Sequence, residues 1–514
     1  MYLVKGYEMR ELEERAMNDY AIPSILLMEN AALQVVKHGL RLLDGNTVLK
    51  VVTVVCGGGN NGGDGLAAAR LFHVKDIGVR VFFVGDIQKA EGDALINLQI
   101  IQRMGIPIET NPETLPRAIA DSHLVVDALL GIGLSGALRP AHIQAINAIN
   151  TATAPILAVD IPSGVNADTG KVTACAVRAH TTVTFGLAKV GLMTYPGAEY
   201  VGQIIIAEIS LPIESLTPPT GVHWLEALNT ADITALLPNR PAHSNKGTFG
   251  RVCVVAGCRE MPGAAVLCCK AAYKAGAGLV QACVVQDVAR VIQACTHEVI
   301  TTILPDNNGS AYEYEGIKTS LAQAKVIAIG PGLGRTPGTF AFVRKTITQA
   351  TMPLVIDADG LMAIAGDMKI LASVKVPCVI TPHPGEMAAL TKRTISEITD
   401  DIISVARTFA KTHGVVTLLK DARTIIASPD GRTFINLTGT SALAKAGTGD
   451  ALTGVIAAFI AQGLDAFDAA VLAAYVHGLA GELAEKELFA YGVNASDVVD
   501  YLPQVFGFCA NPNT

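Results

Sequence analysis

The sequence is poor in charged and in aromatic residues. Of its 514 residues only 17% are charged and 5% aromatic, with a single tryptophan. The formal net charge of −7 offers no basic surface of the kind that nucleic acid or an anionic membrane attracts. We therefore expect neither a nucleic-acid nor a membrane partner, and any phosphate-binding site must lie in a local loop.

Cysteine pairs and long apolar segments are also lacking. The ten cysteines show no CxxC spacing and several stand in apolar runs, so buried free thiols are expected. The first residues carry charges where a signal peptide needs an apolar stretch, and the apolar residues 451–464 are bracketed by Asp450 and Asp465. The sequence thus supports neither secretion nor membrane spanning, and we expect a cytoplasmic protein.

What the sequence does have is glycine and β-branched runs that alternate with helical stretches. Half of the residues are hydrophobic and 49 are glycine, which favours an α/β fold with buried parallel strands. Two series of strands are predicted, at 51–56, 79–84, 124–128, 156–160, 183–185 and 204–208, and at 251–256, 279–283, 326–329, 354–357, 379–381 and 415–419. The first series predicts a doubly wound, Rossmann-like sheet. Proline-rich, polar stretches between the series divide the chain into domains at 1–213 and 230–505, with a linker at 214–229 and a tail at 506–514.

A glycine-rich loop, GGGNNGGDG, follows the first predicted strand at 57–65. It fits GxGxxG through Gly57, Gly59 and Gly62, and Asp86 follows the next strand, so an ordinary dinucleotide-binding dehydrogenase is one interpretation. Paired asparagines and Asp64 add side-chain oxygens that a plain pyrophosphate turn does not need. A cation or a polar ligand is the favoured interpretation.

Two further predicted strands of this domain end in aspartate. Asp127 precedes a glycine-rich turn, and Asp160 precedes IPSGVN. Either residue alone could be a helix cap or a turn former. Because ligands of open α/β sheets bind beyond the carboxyl ends of the strands, both aspartates and the glycine-rich loop indicate one site. A carboxylate at the floor of such a crevice can act as a general acid or base, and Asp160 is the candidate.

The motifs GGGNNGGDG, VVDALLGIGLSG and AVDIPSGVNADTG resemble the signatures of NAD(P)H-hydrate epimerases over most of residues 1–213. The resemblance implies that Asn61, Asp127 and Ser163 bind potassium, and oxygen ligands do suit a hard cation. It also leads us to expect a homo-oligomer. The implied contacts to the hydrated nucleotide come from Asn60, Asn61, Gly62, Gly63, Asp64, Gly131, Ile132, Gly133, Leu134, Ser135, Gly136, Ala137 and Asp160.

In the second domain, GTGD at 447–450 opens an apolar helix. Its unpaired backbone N–H groups and the helix dipole can hold a transferring phosphoryl group, and Asp450 can take a proton from the attacking hydroxyl. The alternative is a helix cap with glycines for packing. His383 stands between two prolines at a strand end, where contact with a substrate is favoured over packing in the core.

Six segments of this domain, in order and spacing, resemble the ADP-dependent NAD(P)H-hydrate dehydratases, which have a ribokinase-like fold. They are KGTFG (246–250), AGAGLV (275–280), GPGLG (330–334), DADGL (357–361), TPHPGE (381–386) and AGTGDAL (446–452). The resemblance implies that ADP phosphorylates the ring hydroxyl and that loss of phosphate restores NAD(P)H, with magnesium present. It assigns Ala264, Gly332, His383 and Asp450 to the hydrated nucleotide, and Lys420, Asp421, Ala422, Arg423, Thr424 and Gly449 to the adenine nucleotide.

Two positions depart from the family pattern. Asp421 stands where a glycine usually follows the lysine, and Cys258 replaces the serine of a Gly-Gly-Ser turn. A carboxylate beside a phosphate is unfavourable unless it points away, so Asp421 bears on nucleotide affinity. The alternative function is a ribokinase-like kinase of a vitamin precursor or sugar, with a non-catalytic nucleotide-binding first domain.

Overall fold

Alternating strands and helices build two separate α/β units. The computed structural model describes residues 1–44, 49–134, 136–228, 230–311 and 314–510. One unit, the first unit, comprises Tyr2–Leu225. The second unit runs from Glu226 onward and includes Met1. The predicted α/β class is thus confirmed in both halves of the chain.

The first unit is a seven-stranded parallel sheet in the order β4-β3-β2-β5-β6-β7-β9, and the short strands β1 and β8 pair with each other. Its strands are β1 (Tyr2–Val4), β2 (Val51–Cys56), β3 (Gly78–Phe83), β4 (Ile108–Glu109), β5 (Leu124–Ala128), β6 (Ile156–Val159), β7 (Thr181–Phe185), β8 (Ala188–Lys189) and β9 (Gln203–Ala207). Its helices are α1 (Gly6–Tyr20), α2 (Ser24–Leu42), α3 (Asn60–Val74), α4 (Gly92–Arg103), α5 (Leu115–Ala120), α6 (Pro140–Ile149) and α7 (Val190–Met193).

Helices cover both faces of this sheet, as its continuous apolar strands require. Val54 of β2 packs into a buried cluster with Phe72 of α3, whereas its neighbour Val55 packs on the other face with Ile146 of α6. Successive side chains of a strand point to opposite faces, so a strand that is buried on both sides must be apolar throughout. Because helices cover both faces of the sheet, a ligand-binding site is expected at the strand ends.

In the second unit, seven parallel strands are extended by two antiparallel ones in the order β13-β12-β11-β16-β17-β18-β19-β20-β21. These are β11 (Arg251–Val255), β12 (Leu279–Val285), β13 (Ile300–Leu304), β16 (Val326–Ile329), β17 (Leu354–Ile356), β18 (Cys378–Ile380), β19 (Val416–Leu419), β20 (Ile425–Ala427) and β21 (Thr433–Ile435). The short strand β10 (Leu225–Glu226) lies at the boundary of the units, and β14 (Asp306–Asn307) pairs with β15 (Ser310–Ala311) as a hairpin.

Helices again surround this sheet. They are α8 (Thr230–Leu236), α9 (Pro262–Lys274), α10 (Gln286–Cys295), α11 (Lys318–Ala322), α12 (Pro337–Thr348), α13 (Asp359–Ile364), α14 (Lys369–Ser373), α15 (Pro384–Thr391), α16 (Ile395–Asp400), α17 (Ile402–His413), α18 (Thr448–Ala461), α19 (Ala466–Gly492) and α20 (Ala495–Ala510). Helix α18 is buried almost throughout. It packs so closely on α9 that a Cβ at Gly454 would lie 2.1 Å from the carbonyl oxygen of Cys268.

The structure differs from the sequence prediction in several places. Strands β13, β20 and β21 were not predicted, and α20 continues to Ala510, past Phe506 where a tail was expected to begin. The cysteines whose side chains are described are free thiols, and most of them are buried. No helix within the described part of the chain is long and apolar enough to cross a membrane.

Candidate active sites

The glycine-rich loop of the first unit is shorter than the sequence suggests. Strand β2 ends at Cys56, and α3 begins at Asn60 after a cap at Gly59. Asn61 and Asp64 therefore lie in the first turns of the helix and not in the loop. Their side chains are fixed by the helix backbone, which places them at the carboxyl edge of the sheet.

Three side chains predicted as potassium ligands meet around Leu130, in the turn after β5. The Asn61 side-chain amide donates to the Leu130 carbonyl oxygen at 3.0 Å, and the Leu130 N–H donates to Ser163 Oγ at 2.8 Å. Ser163 binds Asp127 twice, through Oγ at 2.6 Å to Oδ1 and through its backbone N–H at 2.8 Å to Oδ2. The structure thus brings Asn61, Asp127 and Ser163 together.

The chemistry of this cluster fits a hard monovalent cation. Asp127 is fully buried, and burial raises its pKa to about 6 although hydrogen bonds from Ser163 act to lower it. The surrounding donors are oxygens of a carboxylate, a hydroxyl, an amide and a backbone carbonyl, the ligand set of hard cations. No group of three or more His, Cys, Asp or Glu side chains among the described residues is arranged to hold a metal ion, here or elsewhere.

Asp160 follows β6 in a left-handed backbone conformation, with φ of 64°. Its Oδ1 accepts hydrogen bonds from Lys189 Nζ at 2.5 Å, from Thr184 Oγ1 at 3.1 Å and from the Phe185 N–H at 3.3 Å. The side chain is about one-tenth exposed, at 10%. A non-glycine residue held in this strained region requires surrounding structure to hold it there, which is a feature of functional sites.

Two charged neighbours of Asp160 were not predicted from the sequence. Lys189, at the end of β8, has a side chain only 1% exposed. Glu13 of α1 is half-buried, and burial raises its pKa to about 7. Burial and the nearby charge of Asp160 also raise the pKa of Asp64 well above its usual value. The sequence did contain a signal for Lys189, because it is the lone charge in the apolar run GLAKVGLM. A lysine is almost never buried without a partner, so a lysine in such a run indicates a buried ion pair.

The other predicted contacts of the first unit line the same edge. Asn60 is exposed at the start of α3, followed by buried Gly62 and Gly63. In the turn after β5, the Leu134 N–H donates to the Gly131 carbonyl oxygen at 3.2 Å. A Cβ on Gly131 would lie 3.1 Å from the Asn61 side chain, so this turn touches α3. The rest of the turn comprises half-buried Ile132 and exposed Gly133, Gly136 and Ala137. Ser135 lies outside the described residues.

In the second unit, a buried carboxylate joins two predicted binding segments. Asp357, just after β17, accepts hydrogen bonds from Lys420 Nζ at 3.0 Å and from Thr453 Oγ1 at 2.8 Å. A Cβ on Gly449 would lie 3.2 Å from Lys420 Nζ. The ammonium group of Lys420 is thereby held at the N-terminal end of α18, where an anion is favoured.

Asp450 lies half-buried in the first turn of α18. Burial and the neighbouring charge of Asp357 raise its pKa to about 7, against the lowering effect of Lys420. Gly447, in a left-handed conformation, is the cap residue before the helix, and no side chain caps the N-terminus. The first backbone N–H groups and a carboxylate that titrates near neutrality thus stand together.

The predicted contacts to the hydrated nucleotide lie at the same edge. A Cβ on Gly332, whose φ is 59°, would come within 2.8 Å of the Ala264 side chain, so these two residues touch. His383 precedes α15 and caps it, because its Nδ1 accepts from the Gly385 N–H at 3.0 Å. The imidazole is 57% exposed, and its Nε2 lies 3.6 Å from Glu386 Oε1. His383 is thus a helix cap as well as a candidate contact.

The structure shows the surroundings of the two positions that depart from the family pattern. Asp421 is exposed, and its backbone is not in the left-handed conformation that often requires a glycine. Its side chain accepts a hydrogen bond from the Ala422 N–H at 2.8 Å. Arg423 donates to the Leu437 carbonyl oxygen at 2.5 Å, and Thr424 accepts from the Asn436 N–H at 2.8 Å. Cys258 is buried.

Comparison with known proteins agrees with this division. Residues 24–191 match the family described as YjeF-related protein N-terminus, and residues 252–504 match NAD(P)H-hydrate dehydratase. The bifunctional NAD(P)H-hydrate repair enzyme of Moorella thermoacetica is 41% identical over 98% of this chain and 96% of its own length. The chain belongs to the family of bifunctional NAD(P)H-hydrate repair enzymes.

Other members of this family support the assignment along the whole chain. The enzyme of Thermofilum pendens is 36% identical over 98% of this chain and 96% of its own length. A ribokinase-like superfamily protein from Enterococcus faecalis covers 58% of this chain and 99% of its own, with 26% identity and a TM-score of 0.50. The predicted family and ribokinase-like fold are confirmed, and hydrate repair is favoured over a dehydrogenase or a small-metabolite kinase.

Proposed function

We propose that this chain repairs hydrated NADH and NADPH in two steps, in keeping with relatives that are named bifunctional NAD(P)H-hydrate repair enzymes. The first unit interconverts the R and S hydrates, and the second unit dehydrates the S hydrate at the expense of ADP. The observation that carries the proposal is one carboxylate in each unit, Asp160 in the first and Asp450 in the second. Each stands at the carboxyl edge of its own sheet, beside glycine-rich turns that a nucleotide can approach.

In the epimerisation, Asp160 exchanges a proton with the hydroxyl of the hydrated ring. Residues 60–64 and the turn 131–137 bind the nucleotide around it. Potassium would be held by Asn61, Asp127 and Ser163, and would supply positive charge where phosphate or hydroxyl oxygens approach. Because these three residues already bridge α3 and the turns after β5 and β6, the cation would also hold the turns in place.

In the dehydration, Asp450 takes the proton of the ring hydroxyl as that oxygen attacks the terminal phosphorus of ADP and AMP leaves. Loss of phosphate together with a ring proton then restores the double bond of NAD(P)H. The N–H groups at the start of α18, including that of Gly449, stabilise the charge on the transferring group. Ala264, Gly332 and His383 contact the hydrate, and residues 420–424 contact the adenine nucleotide. Magnesium would be bound chiefly through phosphate oxygens.

We assign the epimerase to residues 1–213 and the dehydratase to residues 230–505, joined by residues 214–229. The protein is proposed to act in the cytoplasm as a homo-oligomer. Its substrates are small molecules, the two hydrates and ADP.

The test is incubation of the purified protein with mixed epimers of NADPH hydrate, ADP, magnesium and potassium. Complete recovery of reduced-nicotinamide absorbance is expected, because both sites must act. Recovery that stops at the fraction of S hydrate would show an inactive first unit. No recovery, with ATP-dependent phosphorylation of a small alcohol instead, would favour the kinase alternative.

A further inference from the structure

The two oxygens of the Asp160 carboxylate have different surroundings. Oδ1 accepts all three hydrogen bonds, from Thr184, Phe185 and Lys189. Oδ2 accepts none from the residues that the structure describes, and the side chain keeps 10% of its surface exposed. A carboxylate has capacity for several donors, so Oδ2 is the oxygen left for a ligand.

Lys189 is fixed as firmly as the carboxylate it binds. Besides Asp160, its Nζ donates to the Phe185 carbonyl oxygen at 2.9 Å and to Thr184 Oγ1 at 3.1 Å. Its three ammonium donors therefore have three acceptors, and none is left for a substrate. Burying a lysine and a carboxylate together is costly and is weak evidence for stability alone. The pair instead fixes the orientation of Asp160.

We propose that Lys189 is a positioning residue of the epimerase, which holds Oδ1 of Asp160 and thereby directs Oδ2 at the hydroxyl of the hydrated ring. This inference rests on the proposed function of the first unit. Oδ2 takes the hydroxyl proton while that oxygen forms a double bond to the ring carbon and the ring carbon–nitrogen bond breaks. The electron pair left on nitrogen then attacks the opposite face of the carbonyl carbon, and Oδ2 returns the proton to the oxygen.

The other charged groups around Asp160 fit this role. They are Asp64 of α3 and Glu13 of α1, with Arg10 next to Glu13. Burial raises the pKa of Asp64 well above its usual value. Lys189 makes its hydrogen bond to Asp160. Of these three carboxylates, Asp160 is the one whose oxygen accepts a hydrogen bond from the Lys189 ammonium group.

The experiment compares Lys189→Met, Lys189→Gln and Lys189→Arg in the full chain, with the exposed Lys37→Met as a matched control. Interconversion of purified epimers is followed by chromatography with ADP omitted. We expect kcat to fall by about 100-fold or more in the Met and Gln variants, with KM changed by less than about 3-fold. Lys189→Arg should recover part of kcat, since it restores the charge, and Lys37→Met should match the wild type.

Dehydration of pure S hydrate by the same preparations reports on the second unit, and the fluorescence of Trp224 reports on folding of the first. Should Lys189→Met fail to fold, Lys189→Gln decides, because it can still donate to Oδ1 but carries no charge. A folded Lys189→Gln enzyme with wild-type kcat, or with a defect in KM alone, would overturn the inference. A wild-type chain that dehydrates S hydrate but never interconverts the epimers would instead refute the proposed function of the first unit.

Discussion

Removing one partner of the buried Lys189–Asp160 pair leaves the other without its main contact, so the two single substitutions should together cost much more than the double substitution. In Asp160→Asn, the ammonium group is 1% exposed and keeps only the Phe185 carbonyl and the Thr184 hydroxyl as certain acceptors. An uncompensated buried charge of this kind costs about 3–5 kcal/mol. Lys189→Met should cost less, about 1–3 kcal/mol, because Asp160 keeps two donors and its Oδ2 can reach water.

The double variant Asp160→Asn with Lys189→Met buries no charge. It should therefore be destabilised by about 2 kcal/mol or less, well short of the sum of the single variants. The free energy of unfolding is measured by urea titration of the full chain. Trp224 is the single tryptophan of the sequence, is 4% exposed, and packs on the Tyr2 ring at 5.5 Å between centroids. Its fluorescence therefore follows the first unit.

The result that would refute this reasoning is additivity. If the two single variants cost less than about 1 kcal/mol each and their effects sum in the double variant, the pair is not the buried, mutually dependent contact described above. Lys37→Met again serves as the control, since an exposed lysine should change the free energy of unfolding by no more than about 0.5 kcal/mol.

Four other changes have definite expected outcomes. Asp450→Asn should lower the rate of dehydration of S hydrate by about 100-fold or more. The wild-type rate should rise with pH through about 7, because Asp450 ionises there. A rate that stays constant between pH values well below and well above that pKa would argue against Asp450 as the base. Asp127→Asn should abolish stimulation of epimer interconversion by potassium over sodium, which retained stimulation would contradict. Gly332→Ala should raise KM for the hydrate. It should also destabilise the second unit by about 1–2 kcal/mol, because alanine is unfavourable in the left-handed backbone conformation of Gly332. Kinetics tests the first effect and calorimetry the second, and an unchanged KM would show that Gly332 is not part of the site. Asp421→Gly should lower KM for ADP by about 2- to 5-fold at low salt and less at high salt; no change would show that the carboxylate points away from the phosphates.

The sequence predicted the parts of the fold that carry a strong local pattern. Continuous apolar runs such as Val51–Cys56 are strands because they are buried on both faces. The antiparallel strands Ile425–Ala427 and Thr433–Ile435 were missed, although Pro429-Asp430-Gly431 between them is a turn signal. Short strands depend on their neighbours more than on their own residues.

In the candidate sites, too, some residues could be predicted from the local sequence and others could not. Asp160 could be found because it ends a predicted strand. Its neighbours Lys189 and Glu13 were not predicted as site residues, because β8 and α1 approach Asp160 only in the folded chain. The placement of Asn61 in α3 also escaped prediction, because glycine and asparagine favour turns over helices. The burial that raises the pKa of Asp450 is likewise a property of the folded protein.

The most direct test of two independent repair sites in one chain is complementation between Asp160→Asn and Asp450→Asn proteins. Mixed epimers of NADPH hydrate are supplied with ADP, magnesium and potassium, over a time that is short compared with uncatalysed interconversion. With the Asp160→Asn protein, recovery of absorbance should stop at the fraction of S hydrate. The Asp450→Asn protein should restore no absorbance, and the mixture of the two proteins should reach complete recovery. Complete recovery by the Asp160→Asn protein alone, or no gain from mixing, would contradict the account.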